Sequence, residues 1–361
     1  MEAPVSKMAA KVARNFVAKS VSQFEMPQTG IPIIIRPFVV KKAYVVHPKV
    51  TSFQADLKAQ WLTKTCLRKG LPASIDSDVD FVSNEQLKFI KERMEKSILH
   101  TIVSQKIGMK WKMQYEDDLL EGLLPSFLLQ IWHLADNSSS QDSFLDFRPC
   151  IKTHWCRNFR FYQTTFSPGF VLRSKTPLPL FEQDVNSTVA TDLPGPYFPV
   201  DLGVFRHPTI HLPNSPGYNS NLETPYPATM LLPDFMSRNQ EQMVHHGIHA
   251  MFSQLVAMAM KQGYYPGQHL DEPLATKCII TNGRIFMFMA YQLNTLSLQE
   301  DFGIKNIAWF EDFKTLYNID SDPFRKGRKT FYEVLPTETK SLELDEACIK
   351  TLVAFITQRT I

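Results

Sequence analysis

The stretch TNGRIFMFMAYQLNTL, residues 281–296, constrains the fold more than any other part of the chain. Asn282-Gly283 separates two runs of β-branched, aromatic and methionine residues, the pattern of a β-hairpin. Strands are expected over 277–281 and 284–293. An Asn-Gly pair suits a type I′ turn, in which both central residues take positive φ, so that turn is the expectation. Successive side chains of a strand point to opposite faces. Ile285, Met287, Met289 and Tyr291 then share one face, and Phe286, Phe288 and Ala290 the other. Both faces are apolar, which places the strand inside a sheet covered on both sides. Gln292 and Asn294 follow where the strand leaves the core. Their amides are suited to pairing with loop backbone. Catalysis would need a nucleophile or acid beside them, and none is adjacent.

Helical patterns are expected at five other places. Residues 53–70 end at Gly70, ahead of Pro72. Ser83-Asn84-Glu85-Gln86 reads as a capping box, followed by a face of Leu87, Ile90, Met94, Ile98 and Ile102. A further pattern over 116–135 is interrupted near Pro125. Ser237-Arg238-Asn239-Gln240 reads as a second capping box, opening a helix to about Gly263, and a last helix falls near 343–358. Residues 31–50 suit extended edge segments, and 146–181 favours strands. Proline (24) outnumbers glycine (14), and much of it lies in 192–234, which reads as a long irregular crossing. Early helices and a local hairpin give an α+β class: a central, largely antiparallel sheet flanked by helices, with long Pro-rich connections. The expected organisation is a segment 1–30, an extended and helical region 31–135, and an α+β region 146–361 packed with it as one unit.

Composition removes several classes. With 44% apolar and 21% charged residues the chain folds. No apolar run reaches the roughly 18 residues of a membrane span, so none is expected. Five scattered cysteines make no disulfide framework. Residues 1–30 carry Lys7, Lys11, Arg14 and Lys19 without an acid between residues 3 and 24. Met8, Val12 and Phe16 lie opposite Lys7, Lys11 and Arg14 on a helix, a pattern resembling a mitochondrial targeting segment; an ordinary basic tail is the alternative.

Catalytic signals are weak. His245 and His249 have zincin spacing, yet the residue after the first is His246 where a zincin needs glutamate. They are expected to be half-buried, flanking the apolar face of Met243, Ile248, Met251 and Leu255. Cys150, His154 and Cys156 fit no ligand spacing. No phosphate loop, dinucleotide fingerprint or nucleophile elbow occurs, so no catalytic residue, cofactor, metal or small-molecule substrate is expected. Basic residues among aromatics are stronger, because a guanidinium can fork onto phosphate and a ring can stack on a base. The candidates for RNA contact are Lys41, Lys42, Lys64, Arg68, Lys69, Arg157, Arg160, Arg325, Lys326, Arg328 and Lys329. The loop at 324–329 is the favoured patch. A net charge of +3 points to local phosphate contacts beside extensive protein contact.

Three blocks carry a resemblance: KAQWLTKTCLRKGLP (58–72), TPYPATMLLPD (224–234) and TKCIITNGRIFMFMAYQLNTLSLQEDFGIKNIAW (276–309). They resemble, in order, the mitochondrial large ribosomal subunit protein thirty-seven family. The QLNT and KN-x-x-W blocks are shared with a sister family once counted as small-subunit protein thirty. The matched core signature is Trp61, Asn282, Gly283, Phe288, Gln292, Asn294, Asn306 and Trp309. The resemblance implies a non-enzymatic structural component of the mitochondrial large subunit in the matrix. It also implies contact with large-subunit ribosomal RNA, the sister protein and other large-subunit proteins. A free mitochondrial RNA-binding factor, or a metal-dependent hydrolase using His245 and His249, are the alternatives.

Overall fold

In a computed structural model of the chain, the hairpin has longer arms than the sequence marks: His269–Thr281 and Ile285–Thr295. The described residues are 41–49, 52–80, 82–107, 122–132, 143–209, 214–218, 223–234, 239–317, 324–326, 329–331 and 342–357. The expected targeting segment therefore lies outside them, as does Arg328.

The turn is not type I′. Gly283 has φ 90°, but Asn282 is not among the positive-φ residues. Thr281 pairs with Phe286, which leaves a longer loop closed by side chains. Asn282 Oδ1 accepts from the amides of Arg284 (3.0 Å) and Ile285 (2.8 Å). Thr281 Oγ1 accepts from Gly283 N at 2.9 Å and donates to Ile285 O at 2.8 Å. With the asparagine side chain spent on the loop, only the glycine needs the left-handed region.

In chain order the elements are β1 (Lys41–Val45), α1 (Ala55–Thr63), β2 (Thr65–Lys69), α2 (Ala73–Asp80), α3 (Asn84–Ile107), α4 (Leu124–Trp132), β3 (Ser143–Phe147), β4 (Ile151–Arg157), β5 (Arg160–Phe166), β6 (Phe170–Ser174) and β7 (Phe205–Thr209). There follow β8 (Tyr226–Pro233), α5 (Gln240–Lys261), β9 (His269–Thr281), β10 (Ile285–Thr295), β11 (Asn306–Phe310), β12 (Lys314–Thr315), β13 (Phe324–Lys326), β14 (Lys329–Phe331) and α6 (Glu346–Ile356). The class is α+β. An eight-stranded sheet has the order β2-β11-β10-β9-β8-β6-β3, with β12 also on β10. β2–β11 and β8–β9 run parallel; its other pairings are antiparallel. A second sheet has the order β4-β5-β1-β7.

α5 lies between the two sheets and is buried on every side from Met243 to Ala259, with His245, His246, His249, Ser253 and Gln254 buried among its apolar residues. Gly247 permits the close approach to the large sheet, since a Cβ there would overlap Met289 Sδ. Met287, Met289 and Tyr291 of β10 join the core shared with α5 and the small sheet. Phe286, Phe288 and Ala290 join a second core under α2, α3, α4 and α6. β10 is thus covered on both faces, and Phe288 is wholly buried, 5.0 Å from Phe355 between ring centroids.

Several local expectations change. The helix expected over 53–70 stops at Thr63, where Lys64 takes φ 50° and caps it. The chain then extends as β2, because pairing with β11 outweighs the helical pattern of the flanking segment. β1 is an inner strand and no edge, held by β5 and β7. The 192–234 crossing contains β7 and β8. Pro125 sits in the first turn of α4, where a missing N–H costs nothing, and does not interrupt it. Asn239 caps α5, accepting from Gln242 N at 3.0 Å, while Ser237 and Arg238 of the expected capping box lie outside the described residues. The Ser83/Gln86 box forms reciprocally: Ser83 Oγ accepts from Gln86 N (3.3 Å), and Gln86 Oε1 from Ser83 N (3.2 Å). Asp345 caps α6 by accepting from Ala347 N and Cys348 N.

Candidate functional site: a saturated amide seam and the surface cations

Gln292, Asn294 and Asn306 lie side by side where β10 and β11 meet, each at most 1% exposed. β10 places the first two residues on one face, two positions apart. β11 opens with the third. Gln292 Oε1 accepts from Phe181 N (2.9 Å) and Glu182 N (3.0 Å). Its Nε2 donates to Glu182 O (2.8 Å) and Asn294 Oδ1 (3.0 Å). Asn294 Nδ2 donates to Lys305 O at 2.9 Å. Asn306 Oδ1 accepts from Asn294 N (2.9 Å) and Thr295 N (3.0 Å), while its Nδ2 donates to Thr63 O (3.0 Å). Hydroxyls continue the chain: Thr63 and Thr65 lie 2.7 Å apart, and Thr65 lies 2.7 Å from Tyr291 Oη. Burial pushes the Tyr291 phenol well above its ordinary range. The Lys305 ammonium caps three carbonyls, of Thr188, Val189 and Gly303. Both the oxygen and the nitrogen of the Gln292 amide are fully used. The seam staples the 181–189 segment and the α1–β2 corner to the central strands. It holds its polar groups by mutual pairing and presents none to a substrate.

The remaining signature residues are structural too. Trp61 is buried with Tyr197 edge-on at 6.2 Å, and Trp309 packs edge-on against Phe181 at 5.7 Å.

Two cation candidates are internal, which corrects their reading as RNA contacts. Arg157 is fully buried. It donates to Trp61 O (2.9 Å) and Leu298 O (2.6 Å), pairs with Asp301, and stacks over Trp61 at 4.7 Å. Lys64 is 2% exposed and donates to Ser297 O at 2.9 Å. Burial, then Arg157 and Lys305, hold its ammonium pKa down to about 8. Arg68 pairs with Glu182 at 2.9 Å, which lowers that carboxyl's pKa, and lies 5.8 Å from the Trp309 ring. Lys69 pairs with Asp312 at 2.7 Å and is largely exposed. Lys42 is exposed, and Lys41 begins β1. Arg160 is half-buried, 5.8 Å from the Phe198 ring. The 324–329 patch is no plain loop: β13 and β14 pair as a ribbon, Arg325 opposite Thr330 and Lys326 opposite Lys329.

The histidine helix is buried rather than half-buried. His245, His246 and His249 are at most 5% exposed. A carbonyl can only accept, so His245 Nδ1 donates to Ala55 O at 2.9 Å. His246 Nδ1 stands 3.3 Å from Asp234 Oδ2. Burial first, then His245 and His246, hold the His249 pKa well below its ordinary value. Among the described residues no three His, Cys, Asp or Glu side chains converge as a metal site, and no helix is long and apolar enough to cross a membrane.

Sequence reasoning missed Lys305 and Thr188. Thr188 ends a short 3-10 helix (Val185–Thr188) and Lys305 sits in the loop before β11, and their role depends on contacts that only the fold brings together.

Comparison with known proteins gives a consistent picture. Residues 160–360 match the family model described as Mitochondrial 28S ribosomal protein S30 (PDCD9). The protein named Large ribosomal subunit protein mL37 from Gallus gallus is 24% identical over 293 residues, covering 76% of this chain and 65% of that protein. Those of that name from Mus musculus and Bos taurus are 24% and 26% identical, each over 76% of this chain and 66% of theirs. The chain thus spans just under two thirds of the length of these relatives.

Proposed function

Because the chain belongs to the Mitochondrial 28S ribosomal protein S30 (PDCD9) family, we propose that it is a structural constituent of the mitochondrial ribosome, in its large subunit. The relatives named Large ribosomal subunit protein mL37 support the large-subunit assignment over the older small-subunit label carried by the family model. On this reading the protein works in the mitochondrial matrix, supports mitochondrial translation, and touches large-subunit ribosomal RNA, the sister protein and other large-subunit proteins.

The observation that carries a scaffolding role over a catalytic one is the amide seam. The polar residues most like an active site spend themselves on the protein's own backbone. RNA contact falls to the remaining cation candidates: Lys42, Arg68, Lys69 and Arg160, which are exposed or part-exposed, and with them Lys41, Arg325, Lys326, Arg328 and Lys329. Phosphate contacts of this kind weaken steeply with salt.

Sucrose-gradient sedimentation of a mitochondrial lysate, with and without ribonuclease, tests the assignment. Co-sedimentation with the large subunit that collapses on RNA digestion is expected. Sedimentation only at the top of the gradient overturns it.

A further inference from the structure

Four large apolar side chains outside the seam reach solvent on loops that meet through named contacts, beside the part-exposed Arg160. Phe159 is 86% exposed, Val200 82%, Phe302 71% and Phe198 58%. They come from three loops: the β4–β5 turn, the segment before β7, and the segment between β10 and β11.

Named contacts tie these loops into one surface. Phe159 N donates to Gln299 Oε1 at 2.8 Å, and Gln299 Nε2 donates to Cys156 O at 3.1 Å. Arg157 pairs with Asp301, beside Phe302, and stacks over Trp61. Tyr197, beside Phe198, meets the edge of the same Trp61. The Arg160 guanidinium faces Phe198 at 5.8 Å. The buried Trp61–Arg157 pair therefore links the loops that carry the four exposed side chains. Phe159 itself has φ 56°, a left-handed position that gives a bulky residue no local advantage.

Charge selects the partner. Asp201, Glu300 and Asp301 are exposed around the patch, and Asp201 is held there by accepting from Phe198 N at 2.9 Å. Of the nearby cations, Arg157 and Lys64 lie beneath the surface, and Arg160 alone of the three is part-exposed. Exposed carboxylates repel a phosphate backbone, whereas aromatic anchors inside a charged rim are the build of a protein interface. We propose that this surface docks an apolar segment of another protein that carries lysine or arginine, its apolar side chains on Phe159, Phe198, Val200 and Phe302 and its cations on Asp201 and Glu300, Asp301 being already paired with Arg157. The proposal goes beyond the ribosomal assignment and does not depend on it.

The test places the photo-crosslinking residue p-benzoylphenylalanine at Phe159, and separately at Phe302, in the full chain expressed in mitochondria. Adducts are identified by mass spectrometry in gradient fractions, with the same residue at Phe89 as the control. The expected adduct is to another protein, in a peptide with apolar residues and at least one lysine or arginine. Adding Glu300→Lys should lower its yield roughly fivefold, by setting like charges face to face. Thermal melting should stay unchanged. Adducts to RNA, to a peptide without basic residues, to a second copy of this chain or to its own residues 1–40 overturn the proposal. So does the absence of any adduct above the control, or a yield indifferent to Glu300→Lys. Failure of the ribosomal assignment appears separately, as the protein's position in the gradient.

Discussion

Gln292→Met is the sharpest probe of the seam. The two side chains have similar length and volume, so repacking alone costs under about 1.5 kcal/mol. The polar loss is larger. Four partners lose their hydrogen bond: Phe181 N, Glu182 N, Glu182 O and Asn294 Oδ1. Each bond contributes about 1 kcal/mol net, and a partner left buried without water costs more. Phe181 and Glu182 are only part-buried, so water recovers some of the loss on that side. Asn294 is buried, and its carbonyl stays stranded. The sum is about 3–4 kcal/mol. At roughly 2 °C per kcal/mol for a large domain, the melting temperature should fall by about 6–8 °C. Scanning calorimetry or melting followed by circular dichroism reads this directly. Gln292→Glu should do no better, because it sets a carboxylate oxygen against Glu182 O and Asn294 Oδ1. A double-mutant cycle with Asn294→Ala should show coupling above about 0.5 kcal/mol. A melting temperature within about 2 °C of the parent for Gln292→Met would show that the seam contributes little, and the scaffolding argument would lose its main support.

Further outcomes follow from the same geometry. Phe288→Asp puts an unpaired charge into a strand buried on both faces, and should abolish cooperative unfolding of the native state; an unchanged melting curve would refute the packing described. Arg157→Ala should cost about 3 kcal/mol, against under about 1 kcal/mol for Arg160→Ala, as compared by urea midpoints. Neutralising Arg325 and Lys326 with glutamine should leave melting unchanged and reduce co-sedimentation with large-subunit RNA; unfolding of that variant would make the ribbon structural. His249 has a native pKa below its ordinary 6.5, so the unfolded chain binds a proton that the native chain refuses. Its contribution is present above about pH 6.5 and is lost as pH falls, by up to about 1.4 kcal/mol per unit. His249→Leu should flatten that slope, measured as urea midpoints at about pH 7.5 and pH 5.5.

Much of the central sheet was legible because its signal is local. Alternation along 285–291 and the Asn-Gly loop needed no knowledge of neighbours, and the two faces of β10 follow from period two alone. The turn type was missed because Asn282 uses its side chain on the loop amides instead of adopting positive φ. β2 was missed because its partner β11 lies far along the chain, and local helix preference said nothing of that pairing. Arg157 shows the same limit at the candidate site. Its setting among aromatics suggested RNA, but what it meets is Trp61 O, Leu298 O and Asp301, brought together only by the fold. Surface or core, for such an arginine, is a tertiary property.

The parallel pairing of β2 with β11 sets an order of events for the nascent chain. The bond from Asn306 to Thr63 O spans 243 residues, so the α1–β2 corner leaves the synthesising ribosome long before its partner strand exists. Until Asn306–Phe310 appears, β2 offers unpaired amides and carbonyls of the kind that recruit the wrong strand. Closing so long a loop is slow, and the corner cannot dock ahead of the hairpin that presents β11. Interrupted synthesis just short of residue 306 should therefore yield an aggregating fragment. Release of the last part of the chain, rather than formation of the first helices, becomes the step at which the domain commits to its fold.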